Sequence, residues 1–163
     1  MRVFISYRRG DAVALAGRLY DRLANHMGVD SVFMDQESIP VGQDFSEAIS
    51  SAITESDVLL VLIGPKWVEL FGRSSTSPDL VIDEINTALE HNIPVIPVLL
   101  GDTSMPQPSA LPEAIRGLVR KQALELEPGE RFSSDFERLL QALHAIEGPR
   151  TSLIQRIQKW FRR

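Results

Sequence analysis

Val58-Leu59-Leu60-Val61-Leu62-Ile63 is the most apolar stretch of the chain, and Gly64-Pro65 closes it. Six residues are too few for a core helix, three of them are β-branched, and no polar residue interrupts them. There is no period-two alternation, so the stretch reads as a strand buried on both faces. Burial on both faces requires helices above and below, and the flanking sequence supplies them. Upstream, Asp44 with Glu47 three residues later reads as a capping box opening a helix that buries Phe45, Ile49, Ala52 and Ile53. Downstream, Ser77-Pro78 reads as a helix start with proline in the first turn, and the helix runs to about His91.

The same order extends in both directions. Val3-Phe4-Ile5-Ser6 is a first strand. Asp11 then precedes a helical stripe of Ala12, Leu15, Ala16, Leu19 and Leu23. Val32-Phe33-Met34 is a second strand, and Pro40-Val41-Gly42 marks a loop. Val95 to Leu99 is a fourth strand, flanked or interrupted by Pro94 and Pro97. A short helix over Leu111 to Val119, a fifth strand over Ala123 to Leu126 and a helix carrying Phe136, Leu139, Leu140 and Leu143 complete it. Strands alternating with helices need right-handed crossovers, which give a parallel sheet with helices on both faces. The expected architecture is α/β: a flavodoxin-like three-layer sandwich with a five-stranded parallel sheet in the order 2-1-3-4-5. Residues 1–147 form the domain, and 148–163 form a basic amphipathic helix or linker.

Composition narrows the chemistry. The 163 residues suit one domain with a real core. No cysteine is present, which excludes disulfides, thiolate metal sites and cysteine nucleophiles and suits a reducing cytoplasm. Met1-Arg2 runs directly into strand pattern, so no signal peptide is expected, and no apolar run approaches the roughly 18 residues of a membrane span. The net charge of -5 is uneven. Five of the 17 basic residues lie in 148–163 with no acid, leaving 12 basic against 22 acidic residues in 1–147. So acidic a body is a poor binder of nucleic acid. In the tail, Leu153, Ile154, Ile157, Trp160 and Phe161 recur at helical spacing among Arg156, Lys159, Arg162 and Arg163. Such a helix can lie on an anionic membrane, connect to a fused or partner sensor domain, or cover the domain's own sheet.

In sheets of this kind ligands bind beyond the carboxyl ends of the strands, where the strand order reverses. Here that rim is Ser6-Tyr7-Arg8-Arg9-Gly10-Asp11 after the first strand and Gly64-Pro65-Lys66-Trp67 after the third. Tyr7, Arg8, Arg9, Lys66 and Trp67 offer cations and rings. The amino end of the following helix offers N–H groups to an anion. The competing reading makes the cations solvated loop charges and packs Trp67 under its loop. The aspartate that a phosphate-accepting receiver needs after its third strand is replaced by Gly64, and no phosphate-loop, dinucleotide-turn or nucleophile-elbow motif occurs. His26, His91 and His144 fall on separate helices without ligand spacing, so no metal site is expected. On the Ser77–His91 helix, Val81, Ile82, Ile85, Ala88 and Leu89 form an apolar stripe, with Asp83 and Glu90 opposite. Glu84 falls about 100° from the centre of that stripe, at its border, where a carboxylate is partly dehydrated yet can reach a pocket.

Taken in order, these pieces resemble the bacterial branch of the Toll/interleukin receptor (TIR) domain family. Phe4-Ile5-Ser6-Tyr7-Arg8-Arg9 looks like its opening motif, and Phe33-Met34-Asp35 followed by Ile39-Pro40-Val41-Gly42 and Phe45 looks like its second strand and loop. Ile63-Gly64-Pro65-Lys66-Trp67 sits at its motif after the third strand. Asp83-Glu84-Ile85 through Ile93-Pro94-Val95-Ile96-Pro97-Val98 matches the stretch with its catalytic glutamate. The resemblance implies hydrolysis of NAD at the nicotinamide–ribose bond, with NAD as substrate, no cofactor, and Glu84 as the catalytic residue. It implies homotypic assembly through Ile39, Pro40, Val41 and Gly42, a site completed by a neighbouring copy, and a role in bacterial antiviral defence. Tyr7, Arg8, Arg9, Asp35, Lys66, Trp67 and Leu80 are its implied substrate contacts. Many NAD-cleaving members carry tryptophan four residues before the glutamate, where this chain has Leu80. The alternatives are a TIR module that only recruits partners, and a mimic that binds other TIR domains.

Overall fold

The computed structural model describes residues 1–34, 44–71 and 79–161, with residues 45–46 and 149–161 by backbone alone. Its strands are β1 (Val3–Ser6), β2 (Val32–Met34), β3 (Val58–Ile63), β4 (Val95–Leu100) and β5 (Leu124–Leu126). Its α-helices are α1 (Arg9–Met27), α2 (Phe45–Thr54), α3 (Leu80–Glu90) and α4 (Phe132–Phe161). All four strand pairs are parallel and the order is β2-β1-β3-β4-β5, as the sequence led us to expect. No described helix is long and apolar enough to cross a membrane.

β3 is central, and every one of its side chains is buried. Alternation sends Val58, Leu60 and Leu62 to the core under α1 and α4, and Leu59, Val61 and Ile63 to the core under α2 and α3. Each such side chain contributes roughly 1.5–3 kcal/mol of transfer free energy, which is why a strand without alternation is stable only in the middle layer. Pro97 lies inside β4 and costs no ladder bond there. β5 pairs only with Val98 to Leu100, so no strand stands opposite on that side.

Several boundaries differ from the sequence reading. α1 begins at Arg9, two residues before Asp11, with Arg8 at the cap position and no side-chain cap. α3 begins at Leu80, two residues later than expected, with Asp79 at the cap position: its side chain accepts from the Ile82 N–H. Ser77 and Pro78 lie outside the described residues. The segment expected as a helix over Leu111 to Val119 is a 3₁₀ run, Glu113–Arg120, following Pro112. At the Asp44 box the carboxylate accepts from the Glu47 N–H at 3.3 Å. α4 carries its buried face of Phe132, Phe136, Leu139, Leu140 and Leu143, and its backbone continues helical through Phe161.

Candidate functional site

The carboxyl ends of β1 and β3 are tied together by one side chain. Asp11, in the first turn of α1, accepts from the Gly64 N–H at 2.8 Å and the Lys66 N–H at 2.9 Å. The N–H groups of Asp11 and Ala12 themselves bond to the Arg8 carbonyl. The rim that the sequence offers to an anion thus already holds a carboxylate of the protein, whose charge opposes a second anion on those amides. Gly64 makes the close approach possible, since a Cβ there would stand 2.5 Å from both Asp11 oxygens.

Arg8 is the second organising residue. Its Nη2 donates to Asp79 Oδ2 at 2.7 Å, with the two side chains only 10% and 19% exposed. Its guanidinium lies 4.4 Å from the ring centre of Phe71 and 5.6 Å from that of Trp67. Trp67 is fully buried and meets Phe71 edge-on at 4.9 Å. Arg8 and Trp67 do come together, but they face each other and Asp79 rather than an open rim. Asp79 therefore caps α3 and neutralises a largely dehydrated arginine. Asp79→Ala is expected to lower stability by about 2–4 kcal/mol, from the lost cap and the stranded cation. Urea unfolding followed by circular dichroism measures it, and a loss within the error of the wild-type value would show that the pair is not stabilising.

The remaining implied contacts separate. Tyr7 is buried on the opposite face of the sheet, in the core with Ala12 and Ala16. Arg9 and Lys66 are exposed. Asp35, Ile39, Pro40, Val41 and Gly42 lie outside the described residues.

Glu84 is the largest departure from the sequence reading. It is 0% exposed, and with Val81, Ile85 and Ala88 it forms the inward face of α3. A helical wheel assumes one buried side. α3 has three, because it packs over β1, β3 and β4 while flanked by α2 and the Glu113–Arg120 segment. That rotates the buried face, leaving Ile82 and Leu89 at its borders and bringing Glu84 inside. Asp83 and Glu90 point outward, as expected. Leu80, half-buried, stands one turn before Glu84. Among the described residues, three buried polar atoms at this edge have no hydrogen-bond partner: Ser6 Oγ, Arg8 Nε and Trp67 Nε1. All three groups can donate, and unpaired buried donors are few in folded proteins and point to strain or a missing acceptor. Ser6 shares its face of β1 with Phe4, the face that α2 and α3 cover. Ser6, Phe71 and Asp79 were not singled out from sequence as site residues. Only Asp79 left a local signal, a carboxylate immediately before an apolar helical run.

The comparisons with known proteins agree with this architecture. NAD(+) hydrolase sarm1 of Drosophila melanogaster is 28% identical over 116 residues, which cover 71% of this chain but 8% of the fly protein. Among solved structures, the TIR domains of the activated Roq1 resistosome that recognises the pathogen effector XopQ superpose with a TM-score of 0.66 at 17% identity. That match covers 87% of this chain and 98% of the other. The TIR-STING receptor of C. gigas, solved with 2',3'-cGAMP, superposes with a TM-score of 0.57 at 19% identity, over 83% of this chain and 38% of the receptor. The family model for the TIR domain matches residues 3–140. With that match spanning most of its length and the sheet order in agreement, the chain belongs to the TIR domain family.

Proposed function

We propose that this chain cleaves NAD at the nicotinamide–ribose bond, that Glu84 stabilises the ribose cation formed, and that self-assembly switches the activity on. The observation that carries the reading is Glu84 itself: a carboxylate wholly enclosed on the inward face of α3, at a sheet edge where three buried donors lack partners. Buried carboxylates are kept where they are paired or put to use, and an enclosed one beside a cleft is a stronger candidate for function than one on the surface. The similarity to an NAD hydrolase supports the same reading.

The chemistry suits a single carboxylate. Glycosidases ordinarily need an acid to protonate a poor leaving group. Nicotinamide in NAD is already cationic and departs neutral, so no acid is required. What remains is an oxocarbenium-like ribose, and an anion beside it in a water-poor site stabilises the developing charge. Ser6 Oγ, Arg8 Nε and Trp67 Nε1 are donors for ribose or phosphate oxygens. Arg9 and Lys66, both exposed, are the cations left to meet the pyrophosphate.

Complete enclosure also means that NAD cannot touch Glu84 until its cover moves. Assembly of two or more copies is the event that we assign to this opening. Below the assembly constant, nicotinamide released per molecule should rise about tenfold for each tenfold in protein concentration, and flatten above it. A dilution series read by chromatography measures this, and turnover per molecule that is constant across the series would remove assembly from the mechanism. In its cell the chain would act as a cytoplasmic defence effector that consumes NAD. The helical continuation of α4 supports the tail as a connector to a sensor module. The rival reading, a TIR module that only assembles, is favoured by the same enclosure and by Leu80. It requires no nicotinamide at any concentration.

A further inference from the structure

α1 and α4 lie on one face of the sheet and share a core, and their seam carries a ladder of stacked pairs. The Arg18 guanidinium sits 3.7 Å from the Phe132 ring centre, and one turn on, Arg22 sits 5.0 Å from that of Phe136. The next turn of α1 presents His26, and opposite it stands His144, with ring centroids 6.2 Å apart and planes inclined by 59°. There the seam opens into a cavity of about 210 Å³, floored by Leu140 and Leu143 and edged by both histidines and Glu147. Met1 and Ser31, which precede β1 and β2, also line it, so it lies at the amino edge of the sheet, away from the Arg8–Asp79 cluster. Nothing in the NAD reading uses these residues.

We propose that His26 and His144 form a binding site for a divalent transition cation of the zinc class. Imidazole nitrogens suit such ions better than calcium or magnesium. A zinc ion held at 2.0–2.1 Å by one nitrogen of each ring sets the ring centroids roughly 5–6 Å apart, depending on the angle at the metal. The observed separation lies just beyond that range. Both histidines are exposed, so a small side-chain rotation closes the difference without repacking the core. Glu147 lies one turn beyond His144 on the same helix and lines the same cavity, where its charge offsets that of the Met1 amine 3.6 Å away, so the cavity does not repel a cation. Among the described residues no three ligand side chains converge, so the other coordination positions go to water. The helix bearing His144 continues to Phe161, so the ion would tie the root of that extension to α1. Helix pairing, which sequence spacing does not encode, is what brings together two histidines from opposite ends of the chain.

The test is a zinc titration of the tag-free full chain by calorimetry, with melting temperature read before and after chelator. Wild type is expected to bind one zinc ion with micromolar affinity and to melt several degrees higher when saturated, reversibly. His26→Ala and His144→Ala should each melt as wild type without metal and bind zinc at least about tenfold more weakly. His91→Ala, on a different helix end, should behave as wild type. A wild-type chain that neither binds nor is stabilised overturns the proposal, and so does zinc binding that survives both substitutions.

Discussion

Glu84→Gln is expected to lower nicotinamide release by at least about 100-fold, the effect of removing one preorganised electrostatic group from a site that excludes water. The substitution keeps the size and shape of the side chain and removes only the charge. Since Glu84 lies inside the α3 face with Val81, Ile85 and Ala88, a change of volume there would disturb the core that positions the site. Glutamine avoids that. Its melting temperature should therefore stay within a few degrees of wild type, and its self-association measured by light scattering should be unchanged. An unfolded Glu84→Gln protein would make the residue structural. A folded, assembled and fully active one would move the catalytic role elsewhere. Either result is distinct from the one expected, which is silence in a protein that still folds and assembles.

Gly64→Ala should be the most destabilising single methyl in the described chain, by about 2–4 kcal/mol. The added Cβ would stand 2.5 Å from the two Asp11 oxygens. A surface carboxylate could step aside, but this one accepts from the amides of Gly64 and Lys66, and hydrogen bonds to a charged group contribute about 1.5–3 kcal/mol each. Moving Asp11 breaks both and separates the β1 and β3 loops. The two positions should also be coupled. Once Asp11→Ala has removed the carboxylate, Gly64→Ala meets no collision, and the double variant should be about as stable as Asp11→Ala alone. Chemical unfolding of the four proteins measures the cycle. Additive losses would mean that Gly64 is needed for some other reason than the Asp11 approach.

How far the sequence could be read depended on the range of the interaction involved. β3 announced itself because burial on both faces leaves a local mark, six apolar residues without alternation, and the strand order followed from the alternation of strands and helices. The inward faces of α1 and α4 were legible for the same reason. Arg8 is legible as a site residue, but its partner Asp79 lies 71 positions away, and nothing local distinguishes an arginine aimed at solvent from one stacked on Phe71. Asp11 looked like a helix start because its reach to Gly64, 53 positions on, is a product of the parallel β1–β3 register. A helical wheel puts Glu84 at a border because it counts one neighbour, whereas α3 is packed on three sides. Tyr7 and Trp67 looked like rim partners in sequence, yet the sheet lies between them.

The activity itself is tested most directly by incubating NAD with the purified wild-type chain, at a concentration where light scattering shows self-association, and separating the products. Nicotinamide should accumulate with time, matched mole for mole by ADP-ribose, linear or cyclised. NAD that stays intact under those conditions would contradict a hydrolytic role for Glu84 and leave a TIR domain that works by assembly alone.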